Sequence, residues 1–189
     1  MHDRELMTTQ PLGGFDWQHT DVSLSEITDY ALVSMAIPLG RETDLQNEME
    51  KKFGTNFPKC GRSTIAADGH TQFLGMQKDQ AFVLFKFDGD DAVGEIANAL
   101  GDAAYYTDQS DSWAMLEISG PQARSVLERI CPLDLDQDVF AFGAVTRTMM
   151  EHLAIIIMRT NQDTFLLMSP RSSADSFLHL LETTIERIL

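Results

Sequence analysis

Two stretches of this chain are written in the same order, strand, helix, hairpin, helix, and that repetition constrains the fold more than any other feature. In the first, the strand-like run Tyr30 to Ile37 passes through Gly40 into a helix whose Leu45, Met49 and Phe53 recur at i, i+4 and i+8. Gly54 ends that helix. A hairpin follows, Thr71 to Gly75, a turn around Gln77 to Gln80, then Ala81 to Phe85. A second helix is expected from about Asp91 to Leu100, with Val93, Ile96, Ala97 and Leu100 inward, and Tyr105 to Thr107 supplies a closing strand.

The second stretch opens with Trp113 to Ser119 and turns at Gly120-Pro121. Its helix carries Ala123, Val126, Leu127, Ile130 and Cys131 at i, i+3, i+4, i+7 and i+8. Pro121 suits a first helical position and Pro132 forbids continuation. The next hairpin runs from Leu153 to Arg159 and from Thr164 to Ser169. The last helix is expected to start at Ser172, with Asp175 completing a capping box and Ala174, Phe177, Leu178, Leu181, Ile185 and Ile188 buried.

This is the split βαβ pattern, in which an antiparallel-rich sheet takes both helices on one face. The expectation is therefore α+β, with two tandem ferredoxin-like (split βαβ) units fused into one compact molecule and sharing a core. Residues 1–21 read as an N-terminal arm, 22–110 as the first unit and 111–189 as the second. The arm's Phe15 and Trp17 are either strapped over the chain's own domain or buried by a partner.

Charge narrows the partners. With 14 Lys+Arg against 29 Asp+Glu the formal net charge is -15, which repels nucleic acid and anionic lipid alike. No nucleic-acid or membrane partner is expected, whereas a basic protein partner is compatible. The longest apolar run, Leu153 to Met158, is far shorter than the roughly 20 residues a bilayer requires. Nothing near Met1 resembles a secretory signal, so the cytoplasm is the expected location.

The chemistry-bearing residues form no familiar constellation. Asp134, Asp136 and Asp138 alternate as in a calcium loop, but Val139 and Val145 stand where that loop needs Gly and Glu. Cys60 and Cys131 form neither a C-x-x-C pair nor a ligand series, and the histidines show no H-E-x-x-H spacing. His152 beside Glu151 reads as a histidine oriented by a local hydrogen bond, because one imidazole without a nucleophile or metal makes no mechanism. The glycine-rich phosphate and nucleophile-elbow signatures do not occur. Expected catalytic, cofactor-binding and metal residues on this chain are therefore none. The candidate partner contacts are Phe15, Trp17, Phe140, Phe142 and Arg147.

The run Ser112 to Leu127, with Cys131 to Leu135, resembles the gamma subunit of heterotetrameric sarcosine oxidase, as do Thr146 to His152 and Phe165 to Ser172. Fainter likeness reaches Val22 to Leu24 and the Phe73 to Gly75 hairpin, so the resemblance spans most of the chain. That family is related to the folate-binding T-protein of glycine cleavage, which implies the same tandem arrangement.

The resemblance further implies a non-catalytic, assembly role in a complex that oxidises sarcosine to glycine. The methyl carbon passes to tetrahydrofolate or leaves as formaldehyde, with hydrogen peroxide formed. It places FAD, FMN, NAD and tetrahydrofolate on large alpha and beta flavoprotein partners and zinc on a small delta subunit. None of these falls on this chain, and no catalytic residue is carried over. The arm, with Gly13-Gly14-Phe15, departs from the family pattern, which leaves its docking role open. The alternative is a free-standing folate-binding or aminomethyltransferase-like protein.

Overall fold

A computed structural model describes residues 9–189. The first half runs β1 (Asp16–Gln18), β2 (Ser23–Ile27), β3 (Tyr30–Ala36), α1 (Glu42–Phe53), β4 (Ser63–Ile65), β5 (Gln72–Gly75), β6 (Gln80–Lys86), α2 (Ala92–Leu100) and β7 (Tyr105–Asp108). The second runs β8 (Trp113–Ser119), α3 (Ala123–Leu127), β9 (Val145–Met150), β10 (Leu153–Asn161), β11 (Thr164–Pro170) and α4 (Ala174–Glu186).

The strands form two sheets whose pairings are all antiparallel, in the orders β4-β5-β6-β3-β7 and β1-β2-β8-β11-β10-β9. Side-chain alternation gives each sheet two buried faces. Val33, Met35, Phe73 and Val83 meet Leu45, Met49, Ile96 and Leu100 of α1 and α2. Leu116, Ile118, Ile155, Ile157, Phe165 and Leu167 meet Val126, Leu127, Phe177 and Leu181 of α3 and α4. The opposite faces close on each other: Leu32, Leu74, Phe82 and Leu84 of one sheet pack with Met115, Ile156, Met158, Leu166 and Met168 of the other. The layers are helices, sheet, sheet, helices, as expected from helices on one face of each sheet and a shared core. Double burial is why β6, β10 and β11 read as continuous apolar runs rather than alternating ones.

The helices stop where their chemistry stops them. Gly54 takes φ 62 at the end of α1 and donates to Glu50 O, a left-handed cap that other residues enter at a cost. Asp91 caps α2 by accepting from Gly94 N at 2.8 Å. Two expected ends differ. A 3-10 turn over Arg171–Ser173 precedes α4, so the capping residue is Ser173, whose side chain makes no capping bond, and the box expected from Ser172 does not form. The regular part of α3 ends at Leu127, and turns carry the chain on to Cys131, which stays buried with Ala123, Val126 and Leu127.

The larger difference concerns the ends of the units. Ser23–Ile27, assigned from sequence to the first unit, pairs along β8 in the second sheet, Leu24 opposite Ile118 and Ser25 opposite Glu117. Residues 16–18, assigned to the arm, add a strand outside it. The reason is that the second stretch ends in α4 and supplies no closing strand of its own, while β8 has a free edge and Val22 and Leu24 need a core. Both are 0% exposed in the second unit's helix-facing cluster. With that loan the two sheets match position for position, β4-β5-β6-β3-β7 against β9-β10-β11-β8-β2. Gly120 marks the junction at φ 114, where an added Cβ would lie 2.7 Å from Asp21 O.

Candidate interaction surface

The five residues singled out from sequence do not come together. Phe15 and Trp17 are partly buried against the second unit's helix-facing core, and Trp17 stacks on His19 at 5.8 Å between ring centroids. Their segment is strapped down: the Glu26 carboxylate accepts from Leu12 N at 2.9 Å and Gly14 N at 2.7 Å, while Glu26 N donates to Phe15 O at 2.7 Å. The described part of the arm therefore lies on its own molecule, and residues 1–8 lie outside the described residues. Phe140 is buried, so core packing is its role. Arg147 is exposed on β9, its guanidinium 5.8 Å from the Phe82 ring at the rim of the inter-sheet layer. Of the four aromatic candidates, Phe142 is the exposed one, at 62%.

Sequence reasoning missed what holds Phe142 out. Residues 132–144 are fixed from beneath by Arg159, which is 2% exposed and stacks over Phe165 at 4.4 Å. Its Nε donates to Phe140 O at 2.6 Å, and its terminal nitrogens donate to Leu135 O and Gln162 O. Burial pulls this guanidinium below its ordinary pKa. The only sequence signal was a charge ending an apolar strand, which reads equally well as a strand leaving the core. Two aspartates of the same segment, Asp134 and Asp136, bond back onto it. Asp134 Oδ1 accepts from Asp136 N at 2.9 Å, Asp136 Oδ1 from Asp138 N at 3.0 Å, and Asp136 Oδ2 from Arg124 at 3.0 Å. Those bonds hold the Asp136 carboxyl below its usual range, the Asp138 N–H first among them.

Other groups with chemical potential are dispersed. Cys131 is buried, and burial pushes its thiol pKa up, whereas Cys60 is exposed. Glu151 and His152 form the exposed turn between β9 and β10, Glu151 at φ 52. Among the described residues no helix is long and apolar enough to cross a membrane.

Two cavities lie along the sheet-sheet boundary. A cleft of about 550 Å³ is lined by Tyr30, Phe87, Asp90, Asp108, Trp113 and Arg171, with Thr9 to Pro11 along one side. The Trp113 indole N–H is buried there without an acceptor among the described residues. A smaller one, about 160 Å³, lies among Tyr30, Gln72, Leu84, Glu117, Met158 and Thr160. Desolvation raises the pKa of Glu117 in that place.

A folate would need a carboxylate for its pterin and cations for its glutamate tail. The larger cleft offers carboxylates, but its one lining arginine, Arg171, is engaged with Asp111 at 3.4 Å and with Thr9 O. The donor set does not fit the anionic tail.

Residues 65–181 match the family described as the GCVT N-terminal domain. The sarcosine oxidase subunit gamma of an Arthrobacter species is 31% identical over 114 residues, 59% of this chain and 55% of that protein. The same subunit of Corynebacterium sp. (strain P-1) is 26% identical over 129 residues, 68% of this chain and 63% of that one. The chain thus matches less than two thirds of the length of either relative. Among solved structures, a chain of the heterotetrameric sarcosine oxidase from Corynebacterium sp. U-96, in complex with pyrrole 2-carboxylate, superposes with a TM-score of 0.77 at 19% identity, covering 91% of this chain and 88% of that one. The glycine cleavage system aminomethyltransferase T from Bartonella henselae gives 0.67 at 14% identity, over 92% of this chain and 56% of that one.

Proposed function

The chain belongs to the GCVT N-terminal domain family, and from that premise we propose that it is the gamma subunit of a heterotetrameric sarcosine oxidase, serving assembly rather than bond-making. The observation that carries this reading is the 31% identity to a relative named as that subunit. The likeness of fold to a chain of the heterotetrameric enzyme supports it. The complex would demethylate sarcosine oxidatively to glycine in the cytoplasm, delivering the methyl carbon to tetrahydrofolate or releasing it as formaldehyde, with hydrogen peroxide formed. FAD, FMN, NAD and tetrahydrofolate would reside on the alpha and beta partners and zinc on the delta subunit.

Within that assembly this chain would act as a pre-folded body. The N-terminal segment is bound into the second sheet and two sheets close on one core, so the subunit presents fixed surfaces at low conformational cost. The free-standing folate-binding alternative is disfavoured by the electrostatics of the larger cleft, where carboxylates outnumber an already paired arginine.

Co-expression with the alpha, beta and delta partners, followed by native mass measurement, tests the reading. A stoichiometric heterotetramer containing this chain is expected. Failure to co-purify, or amine turnover by the isolated chain, overturns it. Calorimetric titration with tetrahydrofolate should give no stoichiometric heat, and tight one-to-one binding would favour the alternative.

A further inference from the structure

We propose that residues 132–144 form a preorganised docking loop, with Val139 and Phe142 as its anchors, for a partner-protein surface that offers an apolar socket rimmed by Lys or Arg. The proposal deepens the assembly reading and rests on it.

Val139 and Phe142 are 60% and 62% exposed within one short segment, while Leu135 and Phe140 of the same segment are 0% and 8% exposed. The loop is thus sorted into inner and outer apolar residues, and its backbone prevents the outer ones from turning in. Asp136 O accepts from Val139 N at 3.0 Å and Phe140 N at 2.7 Å. Arg159 holds Phe140 O and Leu135 O from below. At the far end Gly143 O accepts from Ser63 N at 2.7 Å, pinning the loop to the edge of the first sheet. Exposed large apolar side chains on a fixed backbone lose little entropy on being covered, which is the condition for an interface anchor.

Charge selects the occupant. Between Pro132 and Ala144 the chain carries Asp134, Asp136 and Asp138 and no Lys or Arg. Asp136 is paired with Arg124, whereas Asp134 and Asp138 are exposed, leaving an acidic rim on the Val139 side of the loop, while the exposed Arg62 is bridged to Ala144 at its other end. A second copy would present the same rim on a body of net charge -15 and be repelled. A basic-rimmed socket is attracted and steered.

The test uses the full chain, co-expressed with the alpha, beta and delta partners, in three forms: unchanged, Val139→Ser/Phe142→Ser and Asp138→Lys. Thermal melts serve as a folding control, since all three side chains are exposed. The expected result is assembly of the unchanged chain and at least about a tenfold weaker association of the serine variant with its melt preserved. The lysine variant should associate more slowly at low salt, with the difference vanishing at high salt. If the unchanged chain assembles and the serine variant assembles equally well, the docking loop is overturned while the assembly reading stands. If the unchanged chain fails to assemble, both fall. A homodimer of the unchanged chain that the serine variant loses would overturn the choice of occupant.

Discussion

Arg159 shows how one side chain decides the shape of a surface it never reaches. It lies inside the molecule because two backbone carbonyls of a loop, Leu135 O and Phe140 O, would otherwise be buried without donors, and because its planar cation can rest on Phe165. Arg159→Met keeps the apolar stem and removes the donors. It should destabilise the protein by about 3 kcal/mol or more, read as a lower urea midpoint. A loss well under 1 kcal/mol would mean that water replaces the guanidinium.

Glu117 is the opposite case, a half-buried carboxyl facing a small cavity with no ion pair among the described residues. Burial raises its pKa above the ordinary 4.5. The folded state therefore keeps the proton to higher pH than the unfolded state. Stability falls as pH rises from about 4.5 through the raised value, and above it the penalty of the buried anion is constant. Glu117→Gln should accordingly be more stable than the native protein at pH 7, with the advantage shrinking to nothing below pH 4.5. Paired urea titrations at the two pH values check the sign, and a gain that grows on acidification would refute it.

Among the elements, the β9–β10 hairpin carries backbone strain at one residue. Glu151 and His152 alone join β9 to β10, and Glu151 has φ 52, a left-handed conformation that suits glycine. Glu151→Gly should stabilise the protein by about 0.5 kcal/mol or more, since the relief of a left-handed L-residue exceeds glycine's extra unfolded-state entropy. A raised Tm in calorimetry is the expected readout, and an unchanged or lowered one would show that the Glu151 side chain contributes more than its backbone costs. Helix ends divide in the same way between local and distant causes. Gly54 and Asp91 perform the roles their residue types favour, but Ser172 does not cap, because Pro170 and the 3-10 turn after it delay the start of α4 until Ala174.

At the level of the molecule, the second unit is completed by the first residues of the chain. We propose on this ground that the folding units are not 22–110 and 111–189. The second comprises 111–189 together with β2 and its flanking segment. Residues 111–189 expressed alone should lack cooperative unfolding, because β8 loses an edge partner and the core loses Val22 and Leu24. Joining residues 9–28 through a flexible linker to the end of that fragment should restore a sharp transition. If the bare fragment unfolds cooperatively with native-like exchange protection, β2 is an ornament and this division is wrong.

Local order of elements was legible from residues alone: the helical spacing of Leu45 and Met49, the strand-turn-helix at Ser119 to Ala123, the two hairpins and the split βαβ pattern they compose all depend on neighbours a few positions apart. Val22 and Leu24 even alternate with Ser23 and Ser25 at the period of a strand. Which sheet that strand would join was a different matter, since β3 lies close by in sequence while the partner, β8, lies some ninety residues on. Contacts across shorter but still non-local separations likewise hid the buried place of Arg159, the outward placement of Phe142 and the strapping of Phe15 by Glu26. Periodicity records which way a side chain faces, because that is set by backbone geometry within one element. What it faces is set by competition among edges and cores across the whole chain, and only the folded molecule resolves that competition.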